Sequence, residues 1–283
     1  MEFERREVAR AIRESYEAVT SVDGKDGKKG LRIFFLALTV DVGVYQGDST
    51  HVIELVSNLR EMGHNVRWIA RQSSSRESRP DPFFHRVSRK RKARSELMRL
   101  FQLLLSMARG VYHIIRHIRG SDLVYSRDRF SLLLALLPSK LSHKPIVYEV
   151  NGLTSEQRKM HGDYLMNRLY VWLLETLDKV AFRNAARAVC VTEAIRSFYS
   201  EHQPKYAGKF LTVNNGVNTR LFHPLPTDEY VAELRKRLGF EERDEVVAYV
   251  GNLSLWQGVE YLVRSAPAVA EKNSAARFMV VGH

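Results

Sequence analysis

At 283 residues, with 45% hydrophobic and 27% charged positions, the chain has the composition of a globular protein of about two domains and not of a disordered one. A single cysteine, Cys190, excludes an intrachain disulfide and suits a reducing cytoplasm, no run of about 18 apolar residues marks a membrane span, and the charged start MEFERREVAR is neither a signal nor a transit peptide. The formal charge of +12 is concentrated: from Arg86 to Arg119, ten Lys or Arg stand against one acid, Glu96.

Residues 1–30 are charged and close on SVDGKDGKKG, which reads as a flexible linker. From Leu31 the pattern changes. LRIFFLALTV is a buried strand. STHVIELVSNLREMG is an amphipathic helix with Val52, Leu55, Val56, Leu59 and Met62 on one face, N-capped at Ser49 and stopped at Gly63. HNVRWIA is the next strand and completes a right-handed βαβ unit. RVSRKRKAR then runs into a helix on which Leu97, Phe101, Leu104, Leu105, Ala108, Val111, Tyr112 and Ile115 recur at helical spacing. This basic stretch has three readings: a solvated loop before a core helix, a contact with an anionic membrane surface, or a nucleic-acid contact. The last lacks zinc-finger spacing or an RNP1-like motif, and no nucleic acid is expected.

SDLVYSR is a strand, RFSLLLALLPSKLS a short helix and KPIVYEVNG a strand. After a basic, helix-rich stretch at 156–184, AARAVCVTEAI passes from strand to helix, with Cys190 a small core residue in preference to a nucleophile. KFLTVNNGVNTRLF is a strand ending in an Asn215-Gly216 turn. HPLPTDEYVAELRKRLGFEERDE reads as a linker with a short helix, and the remainder opens a fresh strand–helix–strand unit. The expected organisation is a tail (1–30), a doubly wound α/β domain with a parallel sheet (31–224), a linker (225–243) and the start of a second such domain (244–283).

Three loops fall at the carboxyl ends of these strands, where open α/β sheets bind ligands. In DVGVYQGDSTH, residues 41–51, Gly43 and Gly47 permit close backbone approach ahead of a helix N-terminus, and a plain tight turn explains them equally well. The loop is neither GxGxxG nor a P-loop, which disfavours a nicotinamide-dependent oxidoreductase. In YEVNG, residues 148–152, Glu149 and Asn151 either meet a substrate or simply end a strand. YVGNLSLWQG, residues 249–258, is a glycine-bounded loop opening a helix, a geometry suited to phosphate. Arg127 and the Thr192-Glu193 pair, at two further strand ends, line a cleft or serve as a surface ion pair and a helix cap. No metal-ligating cluster such as DxD stands in a loop of this kind.

Taken in order, DVGVYQGDSTHVIELVSNLREMGHNV, YEVNGL, VCVTEAI, VNNGVNTRLFHP and YVGNLSLWQGVEYLV resemble the family 4 glycosyltransferases. These are retaining enzymes of the GT-B type, with two Rossmann-like domains facing each other across a cleft. The likeness runs over residues 31–283. It implies transfer of a sugar from a nucleotide-activated donor to an acceptor, such as a lipid-linked or polysaccharide precursor, held mainly by the first domain. An oxocarbenium-like transition state, with no metal and no permanently bound cofactor, is implied with it. By the same resemblance the first loop, Gly43 to His51 with Gly47 and Asp48, approaches donor phosphate and acceptor. Asn151, where a histidine is common, and Glu149 stand as catalytic residues near the reacting sugar. Gly251, Asn252 and Gln257 belong to the donor site, with Arg127, Thr192 and Glu193 as further donor or acceptor contacts. Asn252 and Gln257 replace an arginine and a lysine usual in the family, so two cations facing a diphosphate become neutral amides, weaker partners for an oxyanion. The family's second domain continues past VVGH to a pair of glutamates, so the chain is expected to be the front portion of such an enzyme. Its expected place is the cytoplasm, with 86–119 a candidate contact for the inner membrane face. The competing expectation is a binding module without catalysis, an acceptor-binding or membrane-associating remnant.

Overall fold

The computed structural model describes residues 30–44, 46–72, 81–87, 96–162, 164–224 and 227–282, with backbone alone at 96–104 and 228. The expected flexible tail and the basic residues 88–95 lie outside the described residues. The chain divides into two units. One runs up to Leu153 and includes Trp172–Asn218; the other comprises Thr154–Val171 and Thr219–His283.

The first unit is built on a seven-stranded, wholly parallel sheet. In chain order its front part carries β1 (Arg32–Asp41), α1 (Gly47–Glu61), β2 (Asn65–Arg71), β3 (Phe84–Arg86), α2 (Glu96–Ile118), β4 (Leu123–Ser126), α3 (Arg129–Leu141) and β5 (Ile146–Val150). After α4 (Thr154–Lys159) and the start of α5 (Leu165–Asn184), which belong to the second unit, the first resumes with the rest of α5, then β6 (Arg187–Cys190), α6 (Glu193–His202) and β7 (Phe210–Thr212). The strand order is β3-β2-β1-β4-β5-β6-β7. It reverses between β1 and β4, which opens a crevice at their carboxyl ends.

β1 shows why this sheet forms. Every residue from Ile33 to Leu38 is buried. Phe34, Leu36 and Leu38 join Ile114, Ile118, Leu132 and Phe182 on one face, while Ile33, Phe35 and Ala37 join Val52, Val56 and Leu59 of α1 on the other. A strand covered on both faces needs such an unbroken apolar run. Cys190 belongs to the first of these clusters, and burial pushes its thiol up to about 12, as a core residue requires.

Several local expectations are corrected. The N-cap of α1 is Gln46, not Ser49. Ser49 is buried at the third helical position, where its Oγ accepts the Gln46 N–H at 3.1 Å and donates to the Val44 carbonyl at 2.6 Å. Gly63, at φ +88°, does stop the helix. Strand β3 was not anticipated, because three residues are too few to show alternation. Asn215 and Gly216 lie in an irregular stretch after β7. A hairpin turn there would need an antiparallel neighbour, and β7 is a parallel edge strand. On α2, the stripe that includes Leu105, Ala108, Tyr112 and Ile115 is exposed, and the core-facing positions are Gly110, Ile114 and Ile118.

The second unit carries α4, the start of α5, α7 (Asp228–Arg237), β8 (Glu245–Val250), α8 (Val259–Lys272) and β9 (Ala276–Val281). Residues 154–171, expected in the first domain, cluster here, with the His161 ring 6.0 Å from that of Trp256. α7 is the short helix expected in the linker, capped by the Thr227 hydroxyl, which accepts the Tyr230 N–H at 3.2 Å. β8 and β9 pair in parallel along six residues, yet Val250 is 75% exposed. Two strands and one helix cannot cover both faces of a sheet.

Candidate functional site

The strand ends at the reversal point are tied by short polar links. The Arg127 N–H donates to the Leu36 carbonyl at 2.8 Å, joining the end of β4 to β1. Asp128 caps α3 by accepting the Ser131 N–H and O–H, and the Ser131 Oγ in turn accepts the Leu38 N–H at 2.9 Å. Residues two apart on a strand share a face, so Tyr125 and Arg127 project to the side on which α1 packs. Glu149, at the end of β5, meets them there.

Glu149 is 2% exposed and is the hub of the site. Its Oε2 accepts the Tyr125 O–H at 2.6 Å. Its Oε1 stands 2.9 Å from His51 Nε2 and 3.2 Å from Arg127 Nε. These two contacts are close in distance but off the hydrogen-bond axis, and Arg127 engages the carboxylate chiefly through its charge. Burial alone would raise the Glu149 pKa, but His51, Arg127 and the Tyr125 hydroxyl together hold the carboxyl below its ordinary value. Burial and the Glu149 charge push the Tyr125 phenol well up. Glu149 is therefore an ionised group inside the wall. It holds His51 and Arg127 beside it at the end of β5. Asn151 is exposed, and its Nδ2 donates to the Arg127 carbonyl at 3.2 Å.

The remaining expected residues are spread more widely. Gly43 donates its N–H to Asp41 Oδ1 at 3.0 Å, and Asp48 Oδ1 accepts the Ser49 N–H at 2.8 Å in the first turn of α1. A Cβ added at Gly47 meets nothing within 4 Å. Thr192 caps α6 by accepting the Ile195 N–H at 3.2 Å. Glu193 is exposed and engaged by Arg196 and by the Thr212 hydroxyl, which hold its carboxyl down at about 2. Both residues are thus used by the fold at the carboxyl end of β6. In the second unit, Gly251 donates its N–H to the Val281 carbonyl at 2.9 Å. The Tyr249 hydroxyl donates to the Asn252 backbone carbonyl at 2.7 Å, and the Ser254 hydroxyl to Asn252 Oδ1 at 2.6 Å. Gln257 is exposed at the end of a short 3-10 turn before α8.

Three polar features escaped the sequence reading. Tyr125 was legible in principle, lying two residues before Arg127 on one strand. Asp178 on α5 accepts the Tyr199 O–H at 3.2 Å and stands 3.2 Å from Arg129 Nε, and burial raises its pKa to about 6. Among the described residues, the donors grouped closely enough to hold a metal ion are His85, His113 and His117. Burial and neighbouring cationic groups depress all three imidazoles, His117 to about 4. The i, i+4 spacing of His113 and His117 was readable; their meeting with β3 was not.

A family model described as Glycosyltransferase Family 4 matches residues 45–221, more than half the chain, and these include His51, Arg127, Glu149 and Asn151. The chain is similar to the alpha-maltose-1-phosphate synthase of Mycolicibacterium smegmatis, 22% identical over 246 residues, covering 83% of the chain and 57% of the synthase. It therefore spans little more than half the length of that relative. It is also similar to the D-inositol 3-phosphate glycosyltransferase of Corynebacterium aurimucosum, 31% identical over 81 residues, 29% of the chain and 19% of the relative. Among solved structures, Anabaena Alr3699/HepE in complex with UDP and glucose has a TM-score of 0.57 at 17% identity, covering 88% of this chain and 60% of that one. The sucrose-phosphate synthase of Thermosynechococcus elongatus has a TM-score of 0.61 at 15% identity, covering 89% and 70%. At such identities the likeness is one of fold.

Proposed function

The chain belongs to glycosyltransferase family 4, and from that premise we propose that it forms the acceptor-side domain and the opening of the donor-side domain of a retaining enzyme that moves a sugar from a nucleotide-activated donor to an acceptor. The observation that carries this reading is the Glu149 cluster. A buried carboxylate holds one guanidinium and one imidazole at the sheet's reversal point, with an exposed amide, Asn151, beside them. Preorganised donors of this kind stabilise charge that develops on a departing phosphate or on sugar hydroxyls, because they need no reorganisation when the bond breaks. Arg127 supplies that positive character, and His51 stands beside it on the same carboxylate.

The test is a thermal-shift titration of the chain with sugar nucleotides, UDP-glucose first. A donor at 100 times its Kd should stabilise the folded state by about 2.7 kcal/mol. No shift with any donor would favour the binding remnant over the enzyme.

The acceptor side is proposed to work against an anionic membrane surface. What supports this is the outer stripe of α2, where Tyr112 and Ile115 are 58% and 57% exposed, with Arg109 and Arg116 exposed on the same helix and Arg119 exposed in the turn after it. Apolar side chains flanked by cations fit a headgroup boundary. No helix among the described residues is long and apolar enough to cross a membrane.

A further inference from the structure

The geometry points to a divalent transition-metal site, of the kind that takes Zn2+, formed by His85, His113 and His117 at the β3 edge of the sheet. One ligand nitrogen from each residue lies within 4.8 Å of the others. The ring centroids are 4.8 Å apart for His85 and His113, 4.4 Å for His85 and His117, and 5.9 Å for His113 and His117. Two of the ring nitrogens, His85 Nε2 and His113 Nδ1, are buried without a hydrogen-bond partner. A buried imidazole nitrogen normally has one, so stacking alone leaves these two atoms unexplained. An ion would satisfy both.

The donor set selects the ion. Imidazoles without a carboxylate suit Zn2+, Ni2+ or Cu2+ and not the oxygen-seeking Mg2+ or Ca2+. On a tetrahedral zinc with Zn–N of about 2.0–2.1 Å, the nitrogens sit about 3.3 Å apart. The stacked rings must therefore turn and close up, and the broad second torsion of histidine allows this. Three protein ligands leave the fourth position to water. One feature opposes the ion: the Arg67 guanidinium lies 2.6 Å from His117 Nδ1. Because arginine can only donate, His117 Nδ1 accepts from it and the ring proton sits on Nε2, so that fixed cation must swing aside before His117 can ligate through either nitrogen, and this weakens the site. The cluster lies four strand positions from β5, so the ion acts apart from the Glu149 cluster, as a clasp between the short strand β3 and helix α2.

The test uses the full chain without a polyhistidine tag, stripped by chelator and titrated with ZnCl2 by calorimetry and with Co2+ by visible absorption. The expected result is one equivalent of Zn2+, a raised Tm, and a tetrahedral Co2+ spectrum, all lost when His113→Gln and His117→Gln are combined. Arg67→Gln removes no ligand and relieves the repulsion between the guanidinium and the ion, so it should tighten binding about tenfold. That variant keeps the test open if the histidine variants fold poorly, which circular dichroism would reveal. Zn2+ binding that is absent, or that is unchanged by the histidine substitutions and by Arg67→Gln alike, overturns the site.

Discussion

His51 Nε2 stands 2.9 Å from Glu149 Oε1, so the helix after β1 is fastened to the end of β5 across the point where the strand order reverses. The carboxylate that makes this link is buried, whereas the His51 and Arg127 side chains are 22% and 11% exposed. The exposed ends are where a ligand can be met. The buried centre sets their position.

Replacing Glu149 by Gln keeps the shape and removes the charge. The Arg127 guanidinium then loses its charged partner and the His51 imidazole its carboxylate, and the variant should be less stable by about 2–3 kcal/mol, below the range for a fully buried pair because the partners retain some solvent. Urea midpoints at pH 7 measure this. The Glu149 pKa lies below its ordinary 4.5 in the folded protein, so its contribution is complete above about pH 4.5 and is lost as pH falls through the folded value. The gap between wild type and variant should therefore narrow on acidification. A gap that does not narrow at all on acidification would mean that packing, not charge, sets the difference.

Asp178 should behave in the opposite sense. Burial raises its carboxyl to about 6, with Arg129 and the Tyr199 hydroxyl opposing only in part. The folded protein thus holds this proton more tightly than the unfolded chain, and stability should decline as pH rises from about 4 to about 6. Asp178→Asn keeps an acceptor for Tyr199 and removes the titration. Its stability should be flat over that window where the wild type's is not, as read from thermal melts at half-unit pH steps.

These groups show where the sequence was legible. β1, β4, β5 and β6 are apolar runs buried on both faces, and Arg127 and Glu149 follow from where such strands end. The face of α2 did not follow. Its apolar residues occupy two sides of the helix, and periodicity cannot decide which side meets a sheet that is assembled from distant segments. Arg129, Asp178 and Tyr199 come from three helices separated in sequence, and no local spacing announces their meeting. The same holds for His85 on a three-residue strand. Polar side chains carry no periodic signature until the backbone brings them together.

Two glycines in the candidate site loops and the last strand's end should respond in contrary ways. Gly47→Ala adds a methyl group into open space at the start of α1, so the fold should be unchanged or stabilised by up to about 1 kcal/mol. Any loss of donor-induced thermal shift in that variant then comes from crowding the ligand. At Gly282 an added Cβ would lie 1.9 Å from the Gly251 carbonyl oxygen. Gly282→Ala should therefore part the ends of β8 and β9. Hydrogen exchange would read this as lost protection at Gly251, whose N–H bonds the Val281 carbonyl.

The outer face of α2 offers the sharpest contrast between neighbours. Tyr112 and Ile115 are more than half exposed, while Ile114, beside them in sequence, is fully buried against β1 and α3. Changing Tyr112 and Ile115 together to Ser removes apolar surface that folding does not use, so the melting temperature should stay within about 2 °C of the wild type. Ile114→Ser places a hydroxyl in the core and should cost about 3 kcal/mol or more. If α2 lies on an anionic surface, the double variant should sediment less with phosphatidylserine-containing vesicles while remaining folded, and neither protein should sediment with neutral ones. Equal sedimentation of wild type and double variant would remove the apolar stripe from the membrane contact, and equal binding to neutral vesicles would remove the charge.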